Sequence, residues 1–337
     1  MAGEAISRLG QEFATGDANA LFLKVFAGEI LATFRETNKF MDKVNIRTIS
    51  SGKSASFPIV GTAAARWHTP GESVITDTEA TTGEDYMSLI KQSEREIFID
   101  DCLTSSVLID DLDSMKNHFD ARSEYASSIG RALAKEADQH ILASIKAASV
   151  STANIPGVTA AGDTITSSNM DTDADTLIAA IFNSAKILDQ NDVPSEDRYV
   201  AVRPAQYYVL AQKTDLVNLD FGGRMNGVYA EGTVLKCAGF TIVATNNMPS
   251  DTTNNSAVAD PGAKNDPFGG AGIGYNANWT NVEALCFHKS AAGVVKMADL
   301  QVLSEYQTER LATLLLAKYA MGHSYLRPEC AVSLLKS

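Results

Sequence analysis

The chain has 337 residues, 45% of them hydrophobic and 20% charged. That length suggests about two domains of ~150 residues and is ample to bury a core without disulfide or metal staples. Its 28 basic and 41 acidic residues leave a net charge of −13, and no two basic residues are adjacent, which excludes a polybasic binder of nucleic acid or anionic membrane.

Cys102, Cys237, Cys286 and Cys330 lie far apart with no CxxC spacing. They read as buried, inert thiols rather than as a zinc or redox site. Residues 1–16 show no basic segment followed by an apolar one, so no secretory signal is expected. The longest apolar stretch, 311–321, carries Lys318 and falls short of the ~18 residues of a membrane span. A protein that is soluble and intracellular at synthesis is the expectation.

In chain order, residues 1–19 are small and polar, as in an extended arm. Phe22, Phe26, Ile30 and Phe34 then recur at four-residue spacing, which predicts a helix with one apolar face across 20–37. Val44, Ile46 and Thr48, then Ala55, Phe57 and Ile59, alternate with polar partners and predict a strand pair or one bent strand. Residues 61–88 lose periodicity and collect Gly, Pro and acids. Strand character returns through Ile97, Phe98 and Ile99. The segment 46–100 is therefore expected to be a long two-stranded excursion with a loose acidic tip. Such an excursion calls for another surface to lie on, because an isolated hairpin is marginal in water and long free edges aggregate.

The strongest helix is expected over 113–148. Asp113 can cap it, and Met115, Phe119, Tyr125, Ile129, Leu133, Ala137, Ile141 and Ile145 form one stripe interrupted only by Gly130. Its length reads as a spine across a flattened molecule. Residues 150–170 read as a connection. A mixed α+β unit follows over 172–245, with helices at 176–188 and 204–212 and strands at 198–202 and 240–244. Residues 246–281 read as a long loop, 282–287 and 294–297 as strands, and 311–335 as an apolar tail turned at Gly322-His323 and Pro328.

Motifs that would carry chemistry fail on their context. Ser51-Gly52-Lys53-Ser54 resembles the end of a phosphate loop, yet Arg47 stands where the opening glycine belongs and a strand follows instead of a helix. The Gly269–Gly274 run neither follows a strand nor opens a helix. No histidines sit at HxxxH or HxH spacing and no GxSxG elbow occurs. The reading is no enzyme, no cofactor and no metal. What remains is an extended, charge-poor chain suited to burying surface on copies of itself, since interface cores are depleted in charge.

Ala20-Leu-Phe-Leu-Lys-Val-Phe-Ala-Gly-Glu-Ile-Leu31 and Arg47-Thr-Ile-Ser-Ser-Gly-Lys-Ser-Ala-Ser-Phe-Pro58 resemble the major capsid protein of short-tailed, T-seven-like bacteriophages. So do Pro70-Gly-Glu72, residues 117–125, His288-Lys-Ser-Ala-Ala-Gly293, residues 317–323 and Leu326-Arg-Pro-Glu329, in the same order from about residue 20 to 330. The stretches 73–93 and 246–281 depart from the family pattern.

The resemblance implies an α+β fold of the Hong Kong 97 (HK97-like) capsid type. Its parts would be an N-arm (1–45), an extended E-loop and stem (46–100), a peripheral P-domain with the spine helix (101–150 and 294–337) and an A-domain (151–293). It implies a virion protein that self-assembles into hexamers and pentamers around double-stranded DNA, with a scaffolding protein and a portal as partners. Arg66 and Trp67, conspicuous after the small residues 61–65, and Phe22 and Phe26 are the expected subunit-interface residues; a local core contact is the alternative for the first two. Rival readings are a nanocompartment shell of the same fold and a soluble enzyme with a composite active site.

Overall fold

The computed structural model describes residues 38–61, 63, 65, 67–68, 70–75, 90, 92–111, 121–152, 160–213, 236–249, 275 and 278–337, with backbone alone for 121–124. The predicted helix at 20–37 and the first turns of the 113–148 helix lie outside them.

Two sheets share one long helix. The four-stranded sheet has the order β1 (Asn45–Thr48), β10 (Ala292–Gln307), β11 (Ala312–Tyr325), β4 (Leu103–Asp110). The six-stranded sheet runs β5 (Asp163–Ser167), β12 (Ala331–Lys336), β9 (Val282–His288), β6 (Arg198–Val202), β8 (Phe240–Ala244), β7 (Lys236–Cys237). A separate ribbon pairs β2 (Ser54–Val60) with β3 (Gln92–Phe98), antiparallel from Ser54 opposite Phe98 to Val60 opposite Gln92.

The spine is α1 (Ala121–Val150), 30 residues and ~45 Å at 1.5 Å per residue. Gly130 does not break it. Ile129, Leu133, Ala137, Ile141 and Ile145 are buried as the stripe predicts, whereas Tyr125 is exposed. From Ile141 to Ser149 every residue is buried, because both sheets pack on this half. A helix enclosed on all sides cannot show an amphipathic stripe. Gly162 lies against the end of α1: a Cβ there would come 2.0 Å from the Ala148 carbonyl oxygen.

Helix α2 (Ala174–Gln190) packs on β5, β12 and β7 of the six-stranded sheet and against α3 (Pro204–Ala211). Asp173 caps α2 through the Asp175 amide, and Pro204 opens α3, where its missing N–H costs nothing. Lys213 pairs with Asp175 at 2.7 Å, tying the two helices together.

Several expectations change. β1 and β2 are two strands in different sheets, separated by a turn in which Gly52 adopts φ +107. The connection 150–170 contains an edge strand, β5. Leu103–Asp110 is a strand, and β10 runs to Gln307 rather than stopping at 297. Gly322-His323 makes no turn; both lie in β11, paired to Val295 and Val294. The tail also does not stay with one sheet. It leaves the four-stranded sheet after Tyr325, turns through Pro328–Cys330, and inserts β12 between β5 and β9. So 331–336 belongs to the sheet of the 151–293 segment, because its apolar side chains fill that core.

Candidate assembly surfaces

The ribbon is amphipathic across its thickness. Ala55, Phe57 and Ile59 oppose Ile97, Arg95 and Ser93, and directly opposed residues share a face. At the root, Ala55 and Ile97 pack with Val295 and Leu326. The Arg95 guanidinium lies 4.1 Å from the Tyr325 ring centroid. Arg47 donates to the Ser56 carbonyl at 2.6 Å, and the Ile49 amide bonds to Lys296 at 2.9 Å. The root is therefore fixed to β10 and β11. The tip is not: Trp67 is 89% exposed, and Val60, Val74, Ile75 and Ile90 are also exposed. A local turn holds its shape, with His68 Nε2 2.7 Å from the Glu72 carbonyl and Gly71 at φ +101.

The second surface is on the four-stranded sheet. Leu303 opposes Leu316, and Leu314 opposes Leu108, so these four leucines share one face. The opposite face carries Val107, Val302, Leu315, Ala317 and Tyr319 and packs on α1. Leu303 and Leu108 are exposed and the other two half-buried. The water-facing side of a sheet is ordinarily polar, so a leucine cluster there is a candidate docking surface.

Behind these surfaces lies a buried polar junction. The Asp138 carboxylate accepts the amides of Lys39 and Phe40 and the Asn247 side chain at 2.8 Å, pinning the start of the described chain to α1. Burial nevertheless pushes its pKa up. Tyr275 stacks on His140 with centroids 4.2 Å apart, and its hydroxyl meets the Asp100 carboxylate. Lys146 is buried over the Trp279 ring, and burial lowers its ammonium to about 8. Tyr275 and Trp279, in what reads from sequence as a loop, thus plug the core.

Cys237, Cys286 and Cys330 are buried, and burial pushes their thiols up to about 11, 12 and 12. They are poor nucleophiles at neutral pH. Cys102 departs from the expectation and is exposed, on the link from β3 to β4. Among the described residues no helix is long and apolar enough to cross a membrane.

These surfaces can be set beside known proteins. The family model described as "Gp10A-like: Major capsid protein" matches residues 56–335. The chain belongs to this major capsid protein family. It is 33% identical over 329 residues to the major capsid protein of Escherichia phage T7, covering 94% of this chain and 92% of that one. It is 31% identical over 334 residues to that of Enterobacteria phage T3, covering 96% and 93%. The solved capsid of Cyanophage P-SCSP1u superposes with a TM-score of 0.73 at 39% identity, over 100% of this chain and 99% of that one. The capsid subunit is thus a structural protein of the phage virion with the α+β, HK97-like fold, and it assembles with copies of itself into a shell. Neither the nanocompartment nor the enzyme reading is favoured by these relatives.

Of the four expected interface residues, Trp67 stands exposed at the ribbon tip. Arg66, Phe22 and Phe26 lie outside the described residues. Sequence reasoning missed the leucine face, although Leu103–Asp110 alternates and two of the leucines sit at even spacing, Leu314 and Leu316. The signal was there, diluted by serine and threonine.

Proposed function

We propose that the subunit forms hexamers and pentamers of an icosahedral head enclosing packaged double-stranded DNA, with a scaffolding protein and a portal taking part in assembly. In this reading residues 1–45 are the N-arm and 46–100 the E-loop with its stem. Residues 101–150 and 294–330 form the P-domain around α1, and 151–293 with β12 form the A-domain. Arg66 and Trp67 anchor the ribbon tip on the leucine face of a neighbour, and Phe22 and Phe26 of the N-arm are further subunit-interface residues.

The observation that carries this reading is the pairing of two unlike apolar surfaces on one chain, an indole tip and a leucine face. Contact between unlike patches is head-to-tail, and it closes into a ring when the rotation permits. The net charge of −13 supports a shell that encloses DNA without gripping it, since phosphate affinity comes from basic residues.

The test is a double variant, Arg66→Ala with Trp67→Ala, titrated with scaffolding protein and viewed by negative-stain microscopy. Helicity and thermal stability stay at the wild-type level. The assembly threshold rises, as for loss of a hot spot worth ~2 kcal/mol per contact. An unfolded variant would instead place both residues in the subunit core, and wild-type assembly would remove them from the interface.

A further inference from the structure

Gly293 lies in β10, opposite Ser324 of β11 and beside Asn45 of β1. Its φ is outside the left-handed region, so backbone conformation does not call for a glycine there. Space does. A Cβ at this position would come 2.9 Å from Leu326 Cδ1 and 3.1 Å from Ile97 Cδ1. Glycine inside a strand often marks a close approach, and here what approaches is the ribbon root.

Ile97 and Arg95 are two residues apart on β3 and share a face. Ile97 is fully buried against Gly293. Arg95 reaches over the neighbouring strand, with its guanidinium 3.5 Å from the Ser324 hydroxyl and 4.1 Å from the Tyr325 ring centroid. Ala55, Ile97, Val295 and Leu326 form a small core of their own, separate from the main one. Three residues past Ile97, the Asp100 amide ties the chain to the Met321 carbonyl at 3.3 Å. In the other direction β3 runs from Ile97 out to Gln92, ~17 Å at ~3.3 Å per residue, so a displacement at the root grows toward the tip.

We propose that Gly293 is a positioning residue for the ribbon: by letting Ile97 rest on the β10 backbone, it sets the angle at which β2 and β3 leave the subunit. Leu326 is held to the body, its amide bonded to the Ala291 carbonyl at 2.8 Å, whereas the ribbon is fixed only at its root. A methyl group on residue 293 is therefore met by a tilt of the ribbon. The angle serves assembly because, in the reading above on which this consequence rests, the tip docks on a neighbour; a tilted ribbon carries Trp67 off the leucine face.

Two measurements on the full-length subunit test it. Spin labels at Ser73→Cys near the tip and Lys186→Cys on α2, both exposed positions, report the ribbon angle in a Cys102→Ser background, the remaining cysteines being buried. Gly293→Ala shifts the mean label distance by about 1–2 Å, the few tenths of an ångström needed at the root being enlarged along the ribbon. Adding Ile97→Val removes the ribbon atom nearest that methyl and restores the wild-type distance, although it lowers the denaturation midpoint as loss of a core methylene does. The unlabelled variants are then titrated with scaffolding protein. The assembly threshold rises in Gly293→Ala and returns in the double variant, whereas a merely structural role would make the second substitution add to the defect. An unchanged distance in Gly293→Ala means that Leu326 takes up the methyl, and it overturns this role for Gly293. So does a distance that Ile97→Val fails to restore, or a Gly293→Ala subunit that does not fold. A distance that shifts and is restored while assembly stays at the wild-type level keeps Gly293 as the positioning residue and overturns the docking of the tip instead.

Discussion

The C-terminal half of α1 and the β2–β3 ribbon are of the same chain and are built on opposite terms. The helix half is enclosed by two sheets, and its neighbours are all within the subunit. The ribbon is fixed only at its root, where Ile97 packs with Val295 and Leu326, and toward its tip Val60, Trp67, Val74 and Ile75 are exposed. One region buries its hydrophobic surface in folding, and in the proposed reading the other keeps it for copies of the chain. Mutations in the two should therefore separate, with the first set changing stability and the second changing assembly alone.

The largest effect is expected in the helix. Ile129→Pro removes a helix hydrogen bond and a buried side chain, costing ~3 kcal/mol or more, so no soluble subunit should be recovered on expression. Gly162→Ala comes next. The added Cβ meets the Ala148 carbonyl, and relief by backbone movement should cost about 1–3 kcal/mol, read as a lower denaturation midpoint with an unchanged slope.

Lys146 gives a smaller effect with a sign. Its folded pKa of about 8 lies below the unfolded 10.5, so between these values the unfolded chain holds more protons and stability rises with pH. Lys146→Met should raise the midpoint at neutral pH and flatten its rise between pH about 8 and about 10 in urea melts. The smallest effect on the fold belongs to the leucine face. Leu303→Ser should shift subunit stability within about 0.5 kcal/mol, as surface changes do, yet raise the concentration at which shells appear. A large loss of stability there would make the leucine face part of the core and erase the contrast.

The same contrast explains what was legible. Elements with strong local signals were read to within two residues: α2 from its amphipathic run, α3 from Pro204, and β6, β8 and β9 from their mainly apolar residues. The ribbon was read from its alternation and flanking breakers. Missed were β4, β5 and the far half of β10, all half-buried strands rich in Ser, Thr or charge, whose identity comes from partners distant in sequence. Gly322-His323 reads as a turn locally, but pairing with β10 and contact with Tyr275 hold it extended. The junction residues Asp100, Tyr275 and His323 come from three separate segments with no shared motif, so no spacing rule could have joined them.

The place of β12 sets the order in which the subunit can be completed. It pairs Val332 with Asp163 and Cys286, and among the described residues β5 has no other neighbour in the sheet. The opposite sheet is closed in the same way, with Asn45 beside Gly293. Synthesis runs from the N-terminus, at ~5–20 residues per second. Neither sheet can close before its late strands are made, β10 and β11 in the four-stranded sheet and β12 in the six-stranded one. A nascent subunit is therefore without a finished six-stranded sheet to offer its neighbours until residues 331–336 have been made, so chains stopped short of them are kept out of the growing shell.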